Sequence, residues 1–499
     1  MKKMTSLLTV LATALTMMGC GGGDDPVTPV VVGSAPKVVE TTPANGATGV
    51  ELGDINIKVT FDQPVNISGS IASKVTVSAD NGDNLAVKNI VKSGNALLLP
   101  VTCNRQNTVI TVSVAAGAVT NASGLANAAY TFSFTTYVAP QAPDDGHLTA
   151  SAAVSQMTAG WNLGNTLDAW NSNLGNNNSP ELYETCWGQP VTTAGLFEMF
   201  RAKGFTAIRV PVTWMQHLDS NNNVDAAWMN RVQEIVDMVI NSGMYCILNV
   251  HHDTGASAAA WLKADNATVD ITLPKFQTLW TQIATRFKDY SDHLLFEGYN
   301  EMLYGSDTNA QWSQPQNLNN LQAINKYAQA FVDAVRATGG NNEYRNLIVT
   351  TYSASHGDQT LSGFVVPTDP CGNQNHLAVE VHSYDPYDWV NTYNMTWTSE
   401  CSAAVTSMFN RLNTYFFSKG YPVIVGEYGT NGADEKTINK SSTAEQKAQA
   451  AKQAAEITRL CKQYGGAGFY WMGLVEGQDR ANLQWSMEEV ADAIVEAAR

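Results

Sequence analysis

Charged residues are scarce in this sequence, and basic residues are the scarcer kind. Only 15% of the 499 residues are charged, and 45 acids against 29 bases give a formal net charge of −16. Binding to nucleic acid needs clustered Lys and Arg side chains that neutralise phosphates. The composition therefore argues against nucleic acid as a partner.

Cysteines are also few, and their number argues against a disulfide scaffold. No two are spaced as Cys-x-x-Cys, and five of the six that follow residue 20 lie beyond residue 150. An odd number in that part of the chain does not fit a framework of paired cysteines. Cys371 and Cys401 flank one loop, and the sequence leaves open whether they are bridged.

Long hydrophobic runs are absent except at the N-terminus, where residues 4–18 follow Lys2 and Lys3. This run is too short to cross a bilayer and is typical of an export signal. Met17-Met-Gly-Cys20 resembles the cleavage box of bacterial lipoproteins, which implies lipidation of Cys20. We therefore expect a signal peptide at 1–19, a flexible tether at 20–33 and a lipid anchor at the bacterial outer membrane or cell surface. A cleaved signal peptide that yields a secreted protein is the alternative.

Tryptophan is missing from the first 160 residues, although the chain has twelve. Residues 34–138 instead contain short segments, such as 55–61 and 109–114, that alternate apolar and polar residues with period two. This alternation is typical of half-buried strands and predicts an all-β sandwich. Thr42-Pro-Ala-Asn-Gly-Ala-Thr-Gly-Val50 resembles bacterial Ig-like modules. We expect this domain to be a spacer, and a carbohydrate-binding role is the alternative.

A Pro-rich linker at 139–148 leads to a second domain at 149–499, in which strand-like and helical segments alternate. Helices are expected at 226–241 and at 443–464, the latter capped by Ser442. Alternation of this kind predicts an α/β protein with a (β/α)₈ TIM barrel. The eight strand candidates are 160–165, 207–212, 245–251, 294–301, 346–353, 376–384, 422–428 and 468–472.

Polar residues recur where these predicted strands end, which is where barrel enzymes place their reactive groups. Each residue alone is more often structural. Their recurrence at six of eight strands indicates an active site, because burying unpaired polar groups costs several kcal/mol. Glu380, His382 and Tyr384 share one face of the sixth strand, since their spacing is two. The other strand-end residues are Arg209, His251, His252, Asp253, Asn300, Glu301, Glu427, Tyr470 and Trp471.

Two carboxylates, Glu301 and Glu427, end the fourth and seventh strands and are expected to face one another across the barrel mouth. Cleavage of a glycosidic bond needs such a pair, one to protonate the leaving oxygen and one to meet the charge at the anomeric carbon. Arg209, if it points at Glu427, would keep that carboxylate ionised. Glu301, in less positive surroundings, is expected to hold its proton near neutral pH.

These strand-end residues belong to a motif series that resembles glycoside hydrolase family 5, closest to its subfamily 4 of endo-β-1,4-glucanases and xyloglucanases. The resemblance extends from residue 157 to about residue 485, in order and with strand-compatible spacing. The motifs are Gly160-Trp-Asn-Leu-Gly-Asn-Thr166, Glu184-Thr-Cys-Trp-Gly188, Ile208-Arg-Val-Pro-Val212, Asn249-Val-His-His252, Tyr299-Asn-Glu301, His382-Ser-Tyr384 and Ile424-Val-Gly-Glu-Tyr428.

The resemblance implies roles for five of these residues. Glu301 corresponds to the acid/base and Glu427 to the nucleophile of a retaining double displacement. Asn300 corresponds to the residue that holds the sugar 2-hydroxyl. Arg209 and Tyr384 correspond to partners of the nucleophile.

By the same resemblance, His251, His252 and His382 line the cleavage subsite, and Trp471 is the platform beneath its sugar. The segment Trp471-Met-Gly-Leu departs from the Trp-Asp or Trp-Glu phrase of many relatives. Seven further tryptophans in expected mouth loops are candidate sugar platforms, although some of them are expected to be core. They are Trp170, Trp187, Trp214, Trp261, Trp312, Trp389 and Trp397.

No metal or other cofactor is expected. Although His251, His252 and Asp253 are adjacent, neighbouring residues on a strand point to opposite faces, so they do not easily ligate one ion. No glycine-rich phosphate loop follows any predicted strand, which argues against a nucleotide.

The sequence thus predicts an endo-β-1,4-glucanase that hydrolyses internal bonds of plant β-glucans with retention. A xyloglucan-specific or mixed-linkage β-glucanase is the alternative within the same class. A surface lipoprotein that binds glycan without cleaving it is the alternative from another class. The partners expected are a β-glucan polysaccharide and, through the lipid anchor alone, a membrane, and a monomer is the default state.

Overall fold

The computed structural model describes residues 33–50, 53–80, 84–103, 108–136, 147–176, 178–257, 259–305, 315, 318–390, 396–430 and 438–499. The chain divides into two compact units between Val138 and Ala139. Cys20 and residues 139–146 of the predicted linker lie outside the described residues. Among the described residues, no helix has both the length and the hydrophobicity needed to cross a bilayer.

The N-terminal unit is built from antiparallel strands, as the alternation predicts. Four strands form one sheet in the order β1-β2-β6-β5, three form another in the order β4-β7-β9, and β3 pairs with β8. The strands are β1 Val38–Thr42, β2 Gly53–Phe61, β3 Asn66–Ile67, β4 Val75–Ala79, β5 Val91–Ser93, β6 Ala96–Cys103, β7 Val109–Val114, β8 Val119–Thr120 and β9 Tyr130–Thr135.

The core of this unit follows from the period of two. In β2, Ile55, Ile57, Val59 and Phe61 are buried, whereas the intervening side chains are more exposed. These residues join inward-facing positions of β4, β6, β7 and β9 in one apolar cluster. The predicted Ig-like sandwich is therefore confirmed.

The C-terminal unit is a closed barrel of eight parallel strands, each paired with its neighbours along the chain. The predicted fold is confirmed, and the strands occupy all eight predicted segments but end earlier in most of them. The strands are β10 Gly160–Asn162, β11 Ala207–Val210, β12 Tyr245–Asn249, β13 Leu294–Glu297, β14 Leu347–Thr350, β15 Leu377–Ser383, β16 Val423–Tyr428 and β17 Ala467–Tyr470.

Helices surround this barrel. The helix predicted at 226–241 has those bounds. The helix predicted at 443–464 begins at Ala444, and its N-cap is Thr443 in a capping box with Gln446, not Ser442. The helices are α1 Ala150–Gln156, α2 Pro180–Glu184, α3 Ala194–Lys203, α4 Ala226–Asn241, α5 Val269–Arg286, α6 Leu318–Arg336, α7 Asp358–Gly363, α8 Tyr387–Val390, α9 Ser399–Tyr415, α10 Ala444–Tyr464, α11 Gly477–Ala481 and α12 Glu488–Ala498.

The barrel interior has an apolar floor and a polar layer above it. Inward residues near the strand starts, such as Ala207, Leu295 and Ala378, pack with α1 in one apolar cluster. Two residues further along the same strands stand the buried polar side chains of Arg209, Glu297 and Glu380. Side chains two apart on a strand share a face, so the polar layer lies directly above the floor. The strand-end site is thereby supported from below.

Strand β16 contains one extra residue relative to both neighbouring strands. Val381 pairs with Val425 but His382 pairs with Glu427, so the extra residue is Gly426. The same offset appears against β17 between Val425 and Tyr428. Such a β-bulge redirects the side chains that follow it, and here it lets Glu427 face the interior three residues after the inward Ile424.

No disulfide joins Cys371 and Cys401, the pair for which the sequence leaves a bridge open. Cys371 is an exposed thiol and Cys401 is a buried thiol in α9.

Candidate active site

Arg209 is the centre of the polar layer. Its Nε and Nη2 donate to Glu297 Oε2 and Oε1 at 2.6 and 2.8 Å. Its Nη1 donates to Glu427 Oε1 at 2.9 Å, and Nη2 also donates to Asn300 Oδ1 at 2.8 Å. The guanidinium is fully buried. Arg209 therefore fixes carboxylates from β13 and β16 in one rigid arrangement, because its planar fork allows little reorientation.

Glu427, the expected nucleophile, is held on both carboxylate oxygens. Arg209 donates to Oε1, and the Tyr384 hydroxyl donates to Oε2 at 3.0 Å. Burial raises the pKa of Glu427, while the positive charges of His382 and Arg209 oppose that rise. Arg209 thus acts in the direction expected from the sequence, but burial outweighs it.

Glu301, the expected acid/base, stands across from Glu427 with 17% of its side chain exposed. Its Oε1 lies 2.7 Å from His382 Nδ1. One oxygen of Glu301, one oxygen of Glu427 and one nitrogen of His382 all lie within 4.8 Å of one another. A carboxyl separation of about 5–5.5 Å is typical of retaining glycosidases, whereas inverting enzymes need about 6.5–9.5 Å.

His382 links the two carboxylates to a third one below them. Its Nδ1 faces Glu301, and its Nε2 lies 3.0 Å from Glu380 Oε1. Burial disfavours the charged ring, but the negative charge of Glu427 and the hydrogen bonds to Glu301 and Glu380 raise the pKa of His382 to about 10. The ring is therefore an imidazolium at neutral pH, with an N–H to donate on each side.

His251 and Trp471 form one wall of the site. Their rings are parallel, with centroids 5.8 Å apart. His251 Nδ1 lies 3.1 Å from Asn249 Nδ2, which makes Nδ1 the acceptor. Burial lowers the pKa of His251 well below its ordinary value, so this ring is neutral where His382 is charged.

His252 lies on the same side of the site as His251, contrary to the expectation from strand alternation. The strand ends at Asn249, so alternation does not govern the two histidines. His251, His252 and Asp168 each bring one possible ligand atom within 4.8 Å of the others. Asp253 is not part of this group, since it accepts hydrogen bonds from the Trp214 backbone and the Trp261 indole at 2.7 and 2.6 Å. Asp168 was not predicted from the sequence.

The structure adds buried residues that the sequence did not single out, of which Glu297, Asn249 and Asn162 contact the predicted ones directly. Asn249 Nδ2 donates to Glu297 Oε1 at 2.9 Å. Asn162 Oδ1 accepts from Arg209 Nη1 at 2.9 Å. Their signal in the sequence is a polar residue two positions after an inward apolar one, as in Leu295-Phe-Glu297.

The candidate platform tryptophans divide into two groups. Trp214 and Trp389 are buried and belong to the core. Trp187 is partly exposed, and its ring centroid lies 5.3 Å from that of His252. Trp312 lies outside the described residues. The other partly exposed candidates are Trp170, Trp261 and Trp397.

Each of the two units matches a known protein family. Residues 172–472 match the cellulase family, glycosyl hydrolase family 5. Residues 32–136 match a bacterial Ig-like domain.

Curated relatives are similar over the barrel. Endoglucanase A of Clostridium longisporum is 37% identical over 366 residues, which are 69% of this chain and 65% of that protein. Cellulase/esterase CelE of Acetivibrio thermocellus is 36% identical over 70% of this chain and 41% of its own length. This chain therefore spans less than two thirds of either protein. Endoglucanase A of Paenibacillus barcinonensis is 33% identical over 71% of this chain and 92% of its own length.

Solved structures show the same relationship. A glycoside hydrolase family 5 enzyme from Prevotella bryantii B14 is 48% identical, with a TM-score of 0.67 over 71% of this chain and 99% of that chain. A variant of that enzyme was solved in complex with a xyloglucan tetradecasaccharide. A GH5-4 broad-specificity endoglucanase from an uncultured bacterium is 43% identical, with a TM-score of 0.64 over 70% of this chain and 96% of its own.

Proposed function

This chain belongs to glycosyl hydrolase family 5, and we propose that it is an endo-β-1,4-glucanase that cleaves β-glucan with retention of configuration. The observation that carries the proposal is the approach of Glu301 and Glu427 oxygens to within 4.8 Å. That gap accommodates the anomeric carbon of one sugar but not an additional water between carboxylate and sugar, as inversion requires.

In the first step, Glu427 attacks the anomeric carbon and forms an ester bond to it while the glycosidic C–O bond breaks. Glu301 gives its proton to the departing oxygen. Arg209 and Tyr384 keep the attacking carboxylate oriented through their hydrogen bonds at 2.9 and 3.0 Å. Orientation of this kind lowers the barrier because the reacting groups need no rearrangement.

In the second step, Glu301 takes a proton from water, and the water oxygen forms a bond to the anomeric carbon as the ester bond to Glu427 breaks. The charged His382 supports both steps through its N–H at Glu301 Oε1. This contact stabilises Glu301 as the carboxylate that the first step leaves behind. It also leaves Oε2 as the oxygen of Glu301 that carries the transferred proton.

The substrate class we propose is a β-1,4-linked glucan, with branched xyloglucan among the polymers accepted. The family 5 enzyme of known structure that is 48% identical was solved, as a variant, with a xyloglucan oligosaccharide. A GH5 enzyme described as xyloglucan-specific is 33% identical, with a TM-score of 0.60 over 69% of this chain.

The activity is tested on carboxymethyl cellulose, xyloglucan, mixed-linkage glucan and glucomannan. We expect new reducing ends on the first three, with a fall in viscosity that runs ahead of sugar release because the cuts are internal. Proton nuclear magnetic resonance of the first product should show the β-anomer before mutarotation. Glycan binding without new reducing ends would favour the non-catalytic alternative, and an initial α-anomer would exclude retention.

We further propose that the protein is exported and anchored to the outer membrane or cell surface by lipid on Cys20. The support is the basic head, the short apolar run and the small residue before that cysteine. A monomer remains the expected state.

Replacing Cys20 with Ala should move the protein from the membrane fraction to the soluble or secreted fraction, because the acyl chains on this residue would supply the membrane affinity. Immunoblots of fractionated producing cells measure the distribution. Cys371→Ala serves as the matched control, since this exposed thiol lies in the barrel unit. Equal membrane retention of both variants would contradict the lipid anchor.

A further inference from the structure

Two buried carboxyl groups beneath the catalytic pair have no role in the proposed reaction. Glu297 on β13 and Glu380 on β15 are both fully buried. Glu380 Oε1 lies 3.0 Å from His382 Nε2 and 3.3 Å from Arg209 Nη2. Glu297 and Glu380 lie within hydrogen-bonding reach of each other.

The charges of this cluster do not balance if every carboxyl is ionised. Glu297, Glu380, Glu427 and Glu301 would then carry four negative charges against the two positive charges of Arg209 and His382. Unbalanced charge is costly in a buried site, and neighbouring carboxylates resolve it by sharing a proton.

The hydrogen bonds favour Glu380 over Glu297 as the holder of such a proton. Both oxygens of Glu297 accept from Arg209, and Oε1 also accepts from Asn249. Glu380 Oε2 is buried and receives no hydrogen bond from any donor in the described part of the chain. An oxygen without a donor is poorly placed as an anion, but as a hydroxyl it can donate to Glu297.

We propose that Glu297 and Glu380 share one proton, and that Glu380, as its holder, positions His382 so that the ring hydrogen-bonds the acid/base Glu301. The role assigned to Glu301 rests on the proposed function. Glu380 is a positioning residue here, because it acts through His382 and does not reach the substrate.

The charged groups that face Glu380 agree with this assignment. Burial and the charge of Glu297 raise the pKa of Glu380 to about 8, against the opposing charges of Arg209 and His382. The charge of Arg209 lowers the pKa of Glu297 although burial opposes it. Strand β16 faces Glu380 with Gly426, where a Cβ would overlap Glu380 Oε1, and with Glu427 beyond it.

A pH profile of kcat/KM tests this role with two substitutions of one residue. Glu380→Ala removes a hydrogen-bond acceptor that raises the pKa of His382. His382 therefore loses its proton at lower pH, and Glu301 then loses its hydrogen-bond donor. The first step needs Glu301 with its proton, and the His382 N–H stabilises the Glu301 carboxylate, so a weaker donor should move the basic limb up by about one pH unit. We also expect kcat/KM to drop roughly 100-fold. In Glu380→Gln the amide oxygen still accepts from His382 and the amide nitrogen still donates to Glu297. Its basic limb should lie nearer to wild type, and its kcat/KM should exceed that of the Ala variant.

Glu184→Ala and Glu184→Gln are the matched controls, because Glu184 is equally buried and pairs with Arg231 at 2.9 Å outside this cluster. Neither should move the basic limb, even where stability falls. A Gln variant that behaves as the Ala variant does would show that Glu380 acts as an anion, and would overturn the proposal. A basic limb of the kcat/KM profile that is unchanged in both Glu380 variants would also overturn the proposal.

Infrared difference spectroscopy detects whether the Glu380 carboxyl is protonated and does not depend on enzyme activity. Wild type minus Glu380→Gln at neutral pH should show the C=O stretch of a buried carboxylic acid, and that band should disappear as the pH rises past about 8. A carboxylate band in its place would refute the shared proton, even if the Ala variant does not fold. A wild-type protein without glucanase activity would instead contradict the proposed function. The infrared evidence for the shared proton would still hold in that case.

Discussion

Glu427→Ala is expected to lower turnover of soluble β-glucan by roughly 10⁴-fold or more, the order of loss found when a covalent nucleophile is removed. Without this carboxylate no ester bond to the anomeric carbon forms, and no group on that side of the sugar meets the developing charge. Turnover is measured as new reducing ends on carboxymethyl cellulose and xyloglucan.

Small anions should restore part of the activity of this variant. Azide can enter the space left by the carboxylate and attack an aryl β-cellobioside opposite the leaving group, which yields an α-glycosyl azide. The control is Glu234→Ala, which removes a carboxylate that is 56% exposed in its side chain and lies in α4. Near-wild-type activity in Glu427→Ala with a native circular dichroism spectrum would exclude Glu427 as the nucleophile.

Glu301→Ala is expected to lower turnover of β-glucan by about 10²–10⁴-fold, the usual contribution of general acid–base catalysis. The loss should be far smaller for formation of the covalent intermediate from an aryl cellobioside whose leaving group needs no proton. The second step remains slow, since no base activates water. Mass spectrometry should then detect a cellobiosyl adduct on the protein.

The azide product separates the two carboxylates. In Glu301→Ala, azide attacks the ester intermediate from the side that the leaving group vacated, so the product is a β-glycosyl azide. Assigning its anomer by nuclear magnetic resonance therefore gives opposite results for the two variants. The roles would be reversed if Glu301→Ala gave the α-azide and Glu427→Ala gave the β-azide.

The fold could be predicted from the sequence because barrel strands impose a simple local pattern. Eight apolar runs, such as 245–251 and 294–301, alternate with helices, and six of them end in the polar residues singled out above. Every predicted run is longer than the strand that the structure places there. The residues beyond Asn249 and Glu297 are still buried, and hydrophobic pattern does not distinguish a buried loop from a strand.

The candidate site was predictable only as a set of polar residues at one end of the barrel. The contact of Arg209 with Glu427 was expected and is confirmed, but its pairing with Glu297 was not, because Glu297 precedes the strand-end motif and the pairing depends on three-dimensional neighbours. The placement of His252 beside His251 was missed for a related reason, since it depends on where β12 stops. Burial of Trp214 and Trp389 likewise comes from packing that local sequence does not encode.

The extra residue in β16, Gly426, places the backbone of this strand directly against the buried carboxyl of Glu380. Asn162 donates to the carbonyl oxygen of Gly426 at 2.9 Å, which satisfies a backbone group that the irregular pairing leaves open. Point substitutions elsewhere in the strand change what surrounds Glu427, but they leave its direction intact. A substitution of Gly426 itself differs from these, because a Cβ there would overlap Glu380 Oε1 and displace the carboxyl that hydrogen-bonds His382. The strand that bears the proposed nucleophile therefore packs against the carboxyl beneath it through a residue that has no side chain.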